Sequence, residues 1–286
     1  MGILYVVATP IGNLDDITKR ALDVLSSVDI ILCEDTRRSL KLLNYYNIKK
    51  KLVAYHKFNE KEKVDGIINN LKDGLNIAII TDAGTPCISD PGYILVNKAR
   101  EEGIDVIGVG GISALVTALS ISGLNTDSFS FYGFFPREKK DKDKMINNII
   151  NSSVNLVVFY EAPKRIINTL KYLYDNLGNI KVSILKDLTK IHETNYFGFI
   201  KDIILDLENF DKTTLGEYTV ILEVPKKEKE NKSNDDISIE ALLVDIIVKK
   251  NVSMKEAITI LSENSNYSKN DIYNASLNIK KCQVNK

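Results

Sequence analysis

The 286-residue chain reads as an α/β protein: two α/β units in succession, followed by a small module of three helices. Three observations predict this. Short, continuous apolar runs alternate with stretches of helical periodicity, the pattern of βαβ units around a mostly parallel sheet. That alternation restarts after Gly123. A charged stretch, KKEKENKSNDD over 226–236, then separates the second unit from three short amphipathic segments. Such a stretch cannot bury apolar surface and is expected to be a flexible linker. The expected divisions are therefore 1–123, 126–225, the linker 226–236 and a helical module over 237–286.

In the first unit, residues 3–8, 29–33, 76–81 and 105–109 are expected strands, and 16–26, 94–101 and 113–121 expected helices. The strand segments are apolar throughout, as they are when helices cover both faces of a sheet. In the second unit, residues 128–132, 156–160, 181–186 and 218–224 are expected strands and 164–177 an expected helix. Residues 137–144 (REKKDKDK) are expected to form a solvated loop. The terminal segments 238–250, 253–263 and 268–281 are expected helices. Ser253 with Glu256 fits a capping box, and Ser268 with Asp271 is a similar start. Three short helices of this kind fit either a helix-turn-helix-like module or a dimerisation or packing bundle.

Composition narrows the class. The apolar fraction is 44% and the charged fraction 27%, ordinary values for a globular protein; collagen, coiled coil and wholesale disorder are excluded. Lys and Arg total 38, as do Asp and Glu, so total charge says nothing about a nucleic-acid partner and only local patches can. Cys33, Cys87 and Cys282 are too few and too scattered for a disulfide framework or a CxxC metal site. They read as small side chains of a reduced, cytoplasmic compartment. The start, Met1 to Val7, lacks the basic region of a signal peptide. No apolar run approaches the ~20 residues of a membrane span.

Parallel α/β sheets bind ligands at the carboxyl ends of their strands, so the loops after the apolar runs carry the chemistry. The first, Thr9-Pro10-Ile11-Gly12-Asn13-Leu14, has one glycine and a proline in place of GxGxxG, which argues against a nicotinamide or flavin fold. The second, Glu34-Asp35-Thr36-Arg37-Arg38, is either an ion-pair cluster or a group that orients a substrate hydroxyl or phosphate. The third, TDAGTPCISDPG over 81–92, is so punctuated by Gly and Pro that it reads as a rigid ligand loop. The fourth, Gly108-Val109-Gly110-Gly111-Ile112-Ser113-Ala114, supplies small residues at a helix start and a second wall for the same pocket. The second unit adds FYEAPKR over 159–165 and Lys190-Ile191-His192-Glu193, each after a strand. Between residues 37 and 63, nine lysines and arginines face two glutamates, with Tyr45, Tyr46, Tyr55, His56 and Phe58 interleaved. Basic groups with stacking rings suit single-stranded nucleic acid; a solvated helix face over core tyrosines is the alternative. His56 and His192 are the two histidines and lie far apart, so no zinc site is expected. No GxSxG elbow or Walker loop is present.

The set LYVVATPIGNLDDIT, CEDTR, TDAGTPCISDPG, GISA, FYEAPKR and KIHE resembles the tetrapyrrole (corrin/porphyrin) methylase superfamily. The likeness is to the branch that 2′-O-methylates a cytidine ribose in bacterial small-subunit (16S) ribosomal RNA. It runs from residue 4 to about 223, and the terminal helices are similar to that branch's helix-turn-helix tail. The resemblance implies two α/β domains of the tetrapyrrole methylase type, S-adenosylmethionine in the cleft between them, no metal, and a homodimer acting on small-subunit ribosomal RNA or the 30S subunit. It implies donor contacts at Pro10, Ile11, Gly84, Thr85, Ile88, Ser113, Ala114 and Ala162. Where the wider superfamily has a Gly-Asp-Pro turn, this chain has Gly84-Thr85-Pro86; Asp82 is the candidate for the missing aspartate's role. Where the branch usually has Pro-Gly-Pro-Ser-Ala, this chain reads Gly110-Gly111-Ile112-Ser113-Ala114.

In such a reaction a ribose oxygen attacks a sulfonium methyl, and a nearby base or cation helps because a 2′-hydroxyl is a weak acid. Lys190, Asp35, Glu34 and Glu193 are the candidates. Arg37, Arg38, His56, Lys164 and Arg165 are the candidates for RNA contact, in the positioning role such side chains usually have. Two competing readings are methylation of a porphyrin or corrin, which needs neither the basic segment nor the terminal helices, and a non-enzymatic RNA-binding assembly factor.

Overall fold

The structure is a computed structural model that describes residues 1–209, 216–225, 238–265 and 267–284. Residues 1–225 form one compact unit and 226–286 a second. The expected linker at 226–236 lies outside the described residues, as does the side chain of Cys282.

The larger unit contains two five-stranded sheets. The first is built from β1 (Leu4–Val7), β2 (Ile30–Cys33), β3 (Lys51–Ala54), β4 (Ile77–Ile79) and β5 (Val106–Val109), in the order β3-β2-β4-β1-β5. All its pairings are parallel. Helices therefore cross over both faces: α1 (Lys19–Ser27), α2 (Thr36–Tyr45), α3 (Glu60–Lys72), α4 (Tyr93–Glu101) and α5 (Ala114–Ile121). Leu4, Ile30, Leu32, Ile77 and Ile79 bury against α3 and α4, while Val7, Ile31, Ala78 and Val109 bury against α1 and Leu43 of α2. Because every strand runs the same way, the loops after all five open on one edge.

The second sheet has the order β6-β7-β10-β8-β9, from β6 (Phe129–Phe134), β7 (Leu156–Glu161), β8 (Lys181–Lys186), β9 (Thr194–Phe199) and β10 (Tyr218–Glu223). Only β6 and β7 are parallel; the other pairs are antiparallel. One face is covered by α6 (Lys139–Asn151), α7 (Ile166–Leu177) and α8 (Ile200–Glu208). The other takes α5: Ala118 and Leu119 pack with Leu156, Val158, Leu185 and Ile221, and Ile11 from the β1 loop joins them. Burying such aliphatic side chains is worth about 1.5–3 kcal/mol each, which binds the two sheets into one body.

Several expectations need correction. The charged run 137–144 is not a loop: α6 begins at Lys139, its first turns facing water while Met145, Ile146 and Ile149 reach the core. The first helix begins at Lys19, not 16, because Thr18 accepts a hydrogen bond from the Ala21 N–H (3.1 Å) and Leu14–Asp16 form a separate 3₁₀ turn. β3, β9, α2, α3 and α8 were not anticipated as elements. Of the aromatic residues in the basic segment, Tyr55 is core and Tyr46 donates to the Leu14 carbonyl (2.6 Å), whereas Phe58 is 95% exposed.

The second unit consists of α9 (Ile239–Lys250), α10 (Met254–Asn264) and α11 (Lys269–Val284) around Leu243, Ala257, Leu261, Ile272 and Ala275. The capping box is present: the Glu256 N–H donates to Ser253 Oγ (3.4 Å) and the Ser253 N–H to Glu256 Oε2 (2.8 Å). Ser268 caps α11 through the Asp271 N–H (3.1 Å).

Candidate active site

The loops at the carboxyl edge of the first sheet meet the end of the second around a cavity of about 360 Å³, a usual size for a small-molecule site. Ile11, Asp82, Gly84, Thr85, Ile88, Ser113, Ala114 and Ala162 all line it. Among the expected donor contacts, Pro10 alone does not. It is buried next to Thr9, whose N–H donates to the Gly84 carbonyl (2.8 Å) and whose carbonyl accepts from the Gly84 N–H (3.0 Å). Thr9 Oγ1 also donates to the Thr81 carbonyl (3.0 Å). The β1 and β4 loops are thus stitched together as the floor.

Close approach between the two halves demands particular residues. A Cβ on Gly12 would sit 2.6 Å from Lys190 Cγ, 2.8 Å from Thr189 Oγ1 and 3.0 Å from the Leu188 carbonyl oxygen. With only a hydrogen there, the Asn13 N–H reaches Thr189 Oγ1 (3.1 Å). Gly133, at φ +66°, interrupts β6 where Ser89 comes within 3.0 Å of where a Cβ would be.

The acidic and basic candidates are mostly tied to one another. Asp35 caps α2: its Oδ1 accepts from the Arg37 N–H (2.9 Å) and Nε (3.1 Å), and its Oδ2 from Nη2 (2.8 Å). Those bonds hold its carboxyl far below the usual range, so it stays an anion with little basicity. Arg37 is spent on that cap. Arg38 lines the cavity and pairs with Asp82 at 3.3 Å, and Asp82 Oδ1 also accepts the Asp35 N–H at 3.2 Å. Burial, then the Asp82 charge, raises the Glu34 pKa.

Lys190 is gripped by Asp187 (2.8 Å) and Glu217 (3.0 Å). Burial alone would lower its pKa, but those two carboxylates outweigh it and hold it above the ordinary value. It is a fixed cation. Glu193 is exposed and accepts the Thr189 N–H at 2.6 Å, shaping the turn. His56 is half-buried, with Asn59 Nδ2 at 3.2 Å from its Nε2. Lys164 is exposed. Arg165 turns inward, pairing with Glu161 and donating to the Phe135 carbonyl at 2.8 Å.

Sequence reasoning passed over Asp90, Glu161, Glu217, Phe134 and Tyr160, all of which line the cavity. Asp90 and Glu161 were inside quoted motifs; their burial could have singled them out only once the strands were placed. Glu217 lies in no motif. Among the described residues, no group of three or more His, Cys, Asp or Glu is disposed to hold a metal ion.

The sequence pattern of the tetrapyrrole (corrin/porphyrin) methylases matches residues 3–204. The chain belongs to that family. Within the tetrapyrrole methylase family it is 42% identical, over 95% of each chain, to the ribosomal RNA small subunit methyltransferase I of Haemophilus influenzae. It is 38% identical to the protein so named in Bacillus subtilis, over 96% of this chain and 94% of that one. The Thermotoga maritima protein of that name is 43% identical and is matched over 98% of its length by 78% of this chain, so about a fifth of the present chain has no counterpart there. Solved structures of similar fold include diphthine synthase (TM-score 0.60, 11% identity, 77% of this chain and 90% of that one). Another is uroporphyrin-III-C-methyltransferase from Thermus thermophilus (TM-score 0.54, 17% identity, 78% and 94%).

The methyl donor expected of a tetrapyrrole methylase fits the cavity. Ile11, Ala114, Ala162 and Phe134 offer an apolar slot for a nucleoside. Ser113 precedes α5 without bonding back to its own helix, which leaves its hydroxyl for a ligand. Asp82, Asp90, Glu161 and Glu217 are among the cavity's lining residues, and three of them are already ion-paired, with Arg38, Arg165 and Lys190.

Proposed function

We propose that this protein transfers a methyl group from S-adenosylmethionine to the ribose 2′-oxygen of a cytidine in small-subunit (16S) ribosomal RNA. The observation that carries the reading is similarity over nearly the whole length to ribosomal RNA small subunit methyltransferases, helical tail included. The cavity and the surface beside it support it. The two α/β lobes, 1–123 and 126–225, close on the donor; a homodimer working in the cytoplasm on RNA or the assembled subunit is the setting. The donor, consumed at each turnover, supplies an electrophilic methyl on a leaving group that departs as a neutral thioether.

The chain's own residues do the rest. Ile11, Ala114 and Ala162 hold the nucleoside, and the floor tied by Thr9 and Gly84 keeps it from shifting. Arg38 lines the cavity and the exposed Lys164 follows β7; these two are assigned to phosphates, the positioning role of basic groups, while Arg37 serves its Asp35 cap. Phe58, between Lys57 and Lys61 after β3, offers a solvent-facing ring on which a base can stack. Arg165 is committed to Glu161 and serves to hold the Ala162 turn.

Transfer of tritiated methyl to under-methylated small subunits, followed by nucleoside analysis for 2′-O-methylcytidine, tests the reading. Label appearing instead in uroporphyrinogen would favour the tetrapyrrole alternative. Ending the chain at Pro225 is expected to weaken RNA binding severalfold while leaving S-adenosylhomocysteine binding intact, since the cavity lies wholly in residues 1–225. Unchanged RNA affinity in a filter-binding assay would count against the tail's role.

A further inference from the structure

Four acidic residues are among those lining the cavity, and they are not equivalent. Asp82 is paired with Arg38, Glu161 with Arg165, and Glu217 with Lys190. Among the described residues, Asp90 has no cationic partner; its one hydrogen bond is with the Thr81 side chain. Of the earlier candidates, Asp35 is saturated by Arg37 and Lys190 is held charged, so neither is free to accept a proton.

The backbone around Asp90 is held in a costly shape. Cys87 (φ 70°) and Ser89 (φ 66°) are left-handed without being glycine. Such a backbone is unfavourable for residues other than glycine and persists where surroundings over-determine it. Here the Cys87 N–H donates to the Pro91 carbonyl (3.3 Å) and the Ile88 N–H to the Thr85 carbonyl (3.4 Å). The result turns Asp90 into the wall beside Ser89, facing the lobe that carries Phe134, Tyr160 and Ala162.

We propose that Asp90 is the proton acceptor for the substrate hydroxyl in this cavity. Asp90 takes the proton as the ribose oxygen bonds to the methyl carbon and the carbon–sulfur bond breaks, its electron pair staying on sulfur; the products are the methyl ether, the thioether nucleoside and a protonated Asp90 that returns its proton to water. The assignment rests on the function proposed above. Burial foremost pushes the Asp90 carboxyl up to about 6, with Glu34 and Asp82 adding to it and the Thr81 hydrogen bond opposing. Cys87 in its own loop and Tyr160 at the end of β7 also face it, both with raised pKa values and hence neutral. A base must be unprotonated to act, so activity should rise with pH through about 6.

The test compares wild type, Asp90→Asn and Asp90→Glu for methyl transfer to small-subunit RNA across pH 5–9, alongside calorimetric binding of S-adenosylhomocysteine. Asp90→Asn should lose roughly 10²-fold or more in kcat/KM, the usual share of a general base, with nucleoside affinity within about threefold of wild type. Its residual rate should lack the limb near pH 6, and Asp90→Glu should recover part of the rate. Carboxyl-carbon NMR of wild type should place this titration near 6, a readout independent of turnover and of how the variants fold. Loss of nucleoside binding in Asp90→Asn, an unaltered pH profile, or a wild-type titration below 5 would overturn the assignment. If wild type itself transfers nothing to small-subunit RNA, the proposed function falls and the assignment with it; transfer by wild type with Asp90→Asn unaffected defeats the assignment alone.

Discussion

Replacing Glu161 with alanine is expected to destabilise the protein by about 3 kcal/mol, a drop of roughly 6–12 °C in Tm for a unit of this size. The Glu161 side chain is fully buried and serves three partners. Its Oε1 pairs with Arg165 and accepts the Ala162 N–H (2.7 Å), and its Oε2 accepts the Thr169 hydroxyl (2.5 Å). Removing it strands a guanidinium only 26% exposed, whose Nε already lacks a partner, along with a backbone donor. An uncompensated buried charge is what makes broken pairs costly; exchanging both partners for apolar groups is often neutral. Glu161→Leu with Arg165→Met should therefore be more stable than Glu161→Ala. Thermal unfolding of the two would decide: equal midpoints, or a loss below 1 kcal/mol for the single change, would show that the pair does not anchor the β7–α7 turn.

Gly12→Ala should cost donor affinity about tenfold. The added methyl would lie 2.6–3.0 Å from Lys190, Thr189 and Leu188. Lys190 Cγ can yield, but the Leu188 carbonyl belongs to the backbone of the other lobe. Overpacking of this kind costs about 1–3 kcal/mol, and relief requires the lobes to part at Ile11, a cavity wall. The tenfold figure takes about 1.4 kcal/mol of that penalty as lost binding. Gly110→Ala is the control, because nothing lies within 4 Å of its Cβ. Calorimetry with S-adenosylhomocysteine reads both; indistinguishable affinities would mean that the contact tolerates a methyl.

These contacts explain what was legible in the sequence. The core strands were, because IILC and LVVFYE are buried on both faces and need no alternation to be recognised. β3 was not: KLVA is short, begins with an exposed lysine and lies at a sheet edge. β9 lies at the other sheet's edge and alternates half-buried with exposed positions, so TNYFGF carries little apolar signal. The first turns of α6 hid behind six charged or polar residues whose apolar partners come only at Met145. The ligand loops announced themselves through Gly and Pro, which is why eight of the expected donor positions meet at one cavity. The identity of each charge's partner was invisible, since Arg38 and Asp82, or Lys190 and Glu217, come together only through strand order. That is also why Asp90, conspicuous by having no cation beside it, could not be told from its neighbours.

The paired amides of Thr9 and Gly84 have a thermodynamic consequence. A floor already cross-linked before any ligand arrives loses little configurational freedom on docking a small molecule, so the nucleoside meets a nearly rigid receptor. Phe58 and Lys164, both exposed, have no comparable cross-link among the described residues. Immobilising them falls on the nucleic-acid step, which should accordingly be the salt-sensitive, weaker and more promiscuous half of recognition.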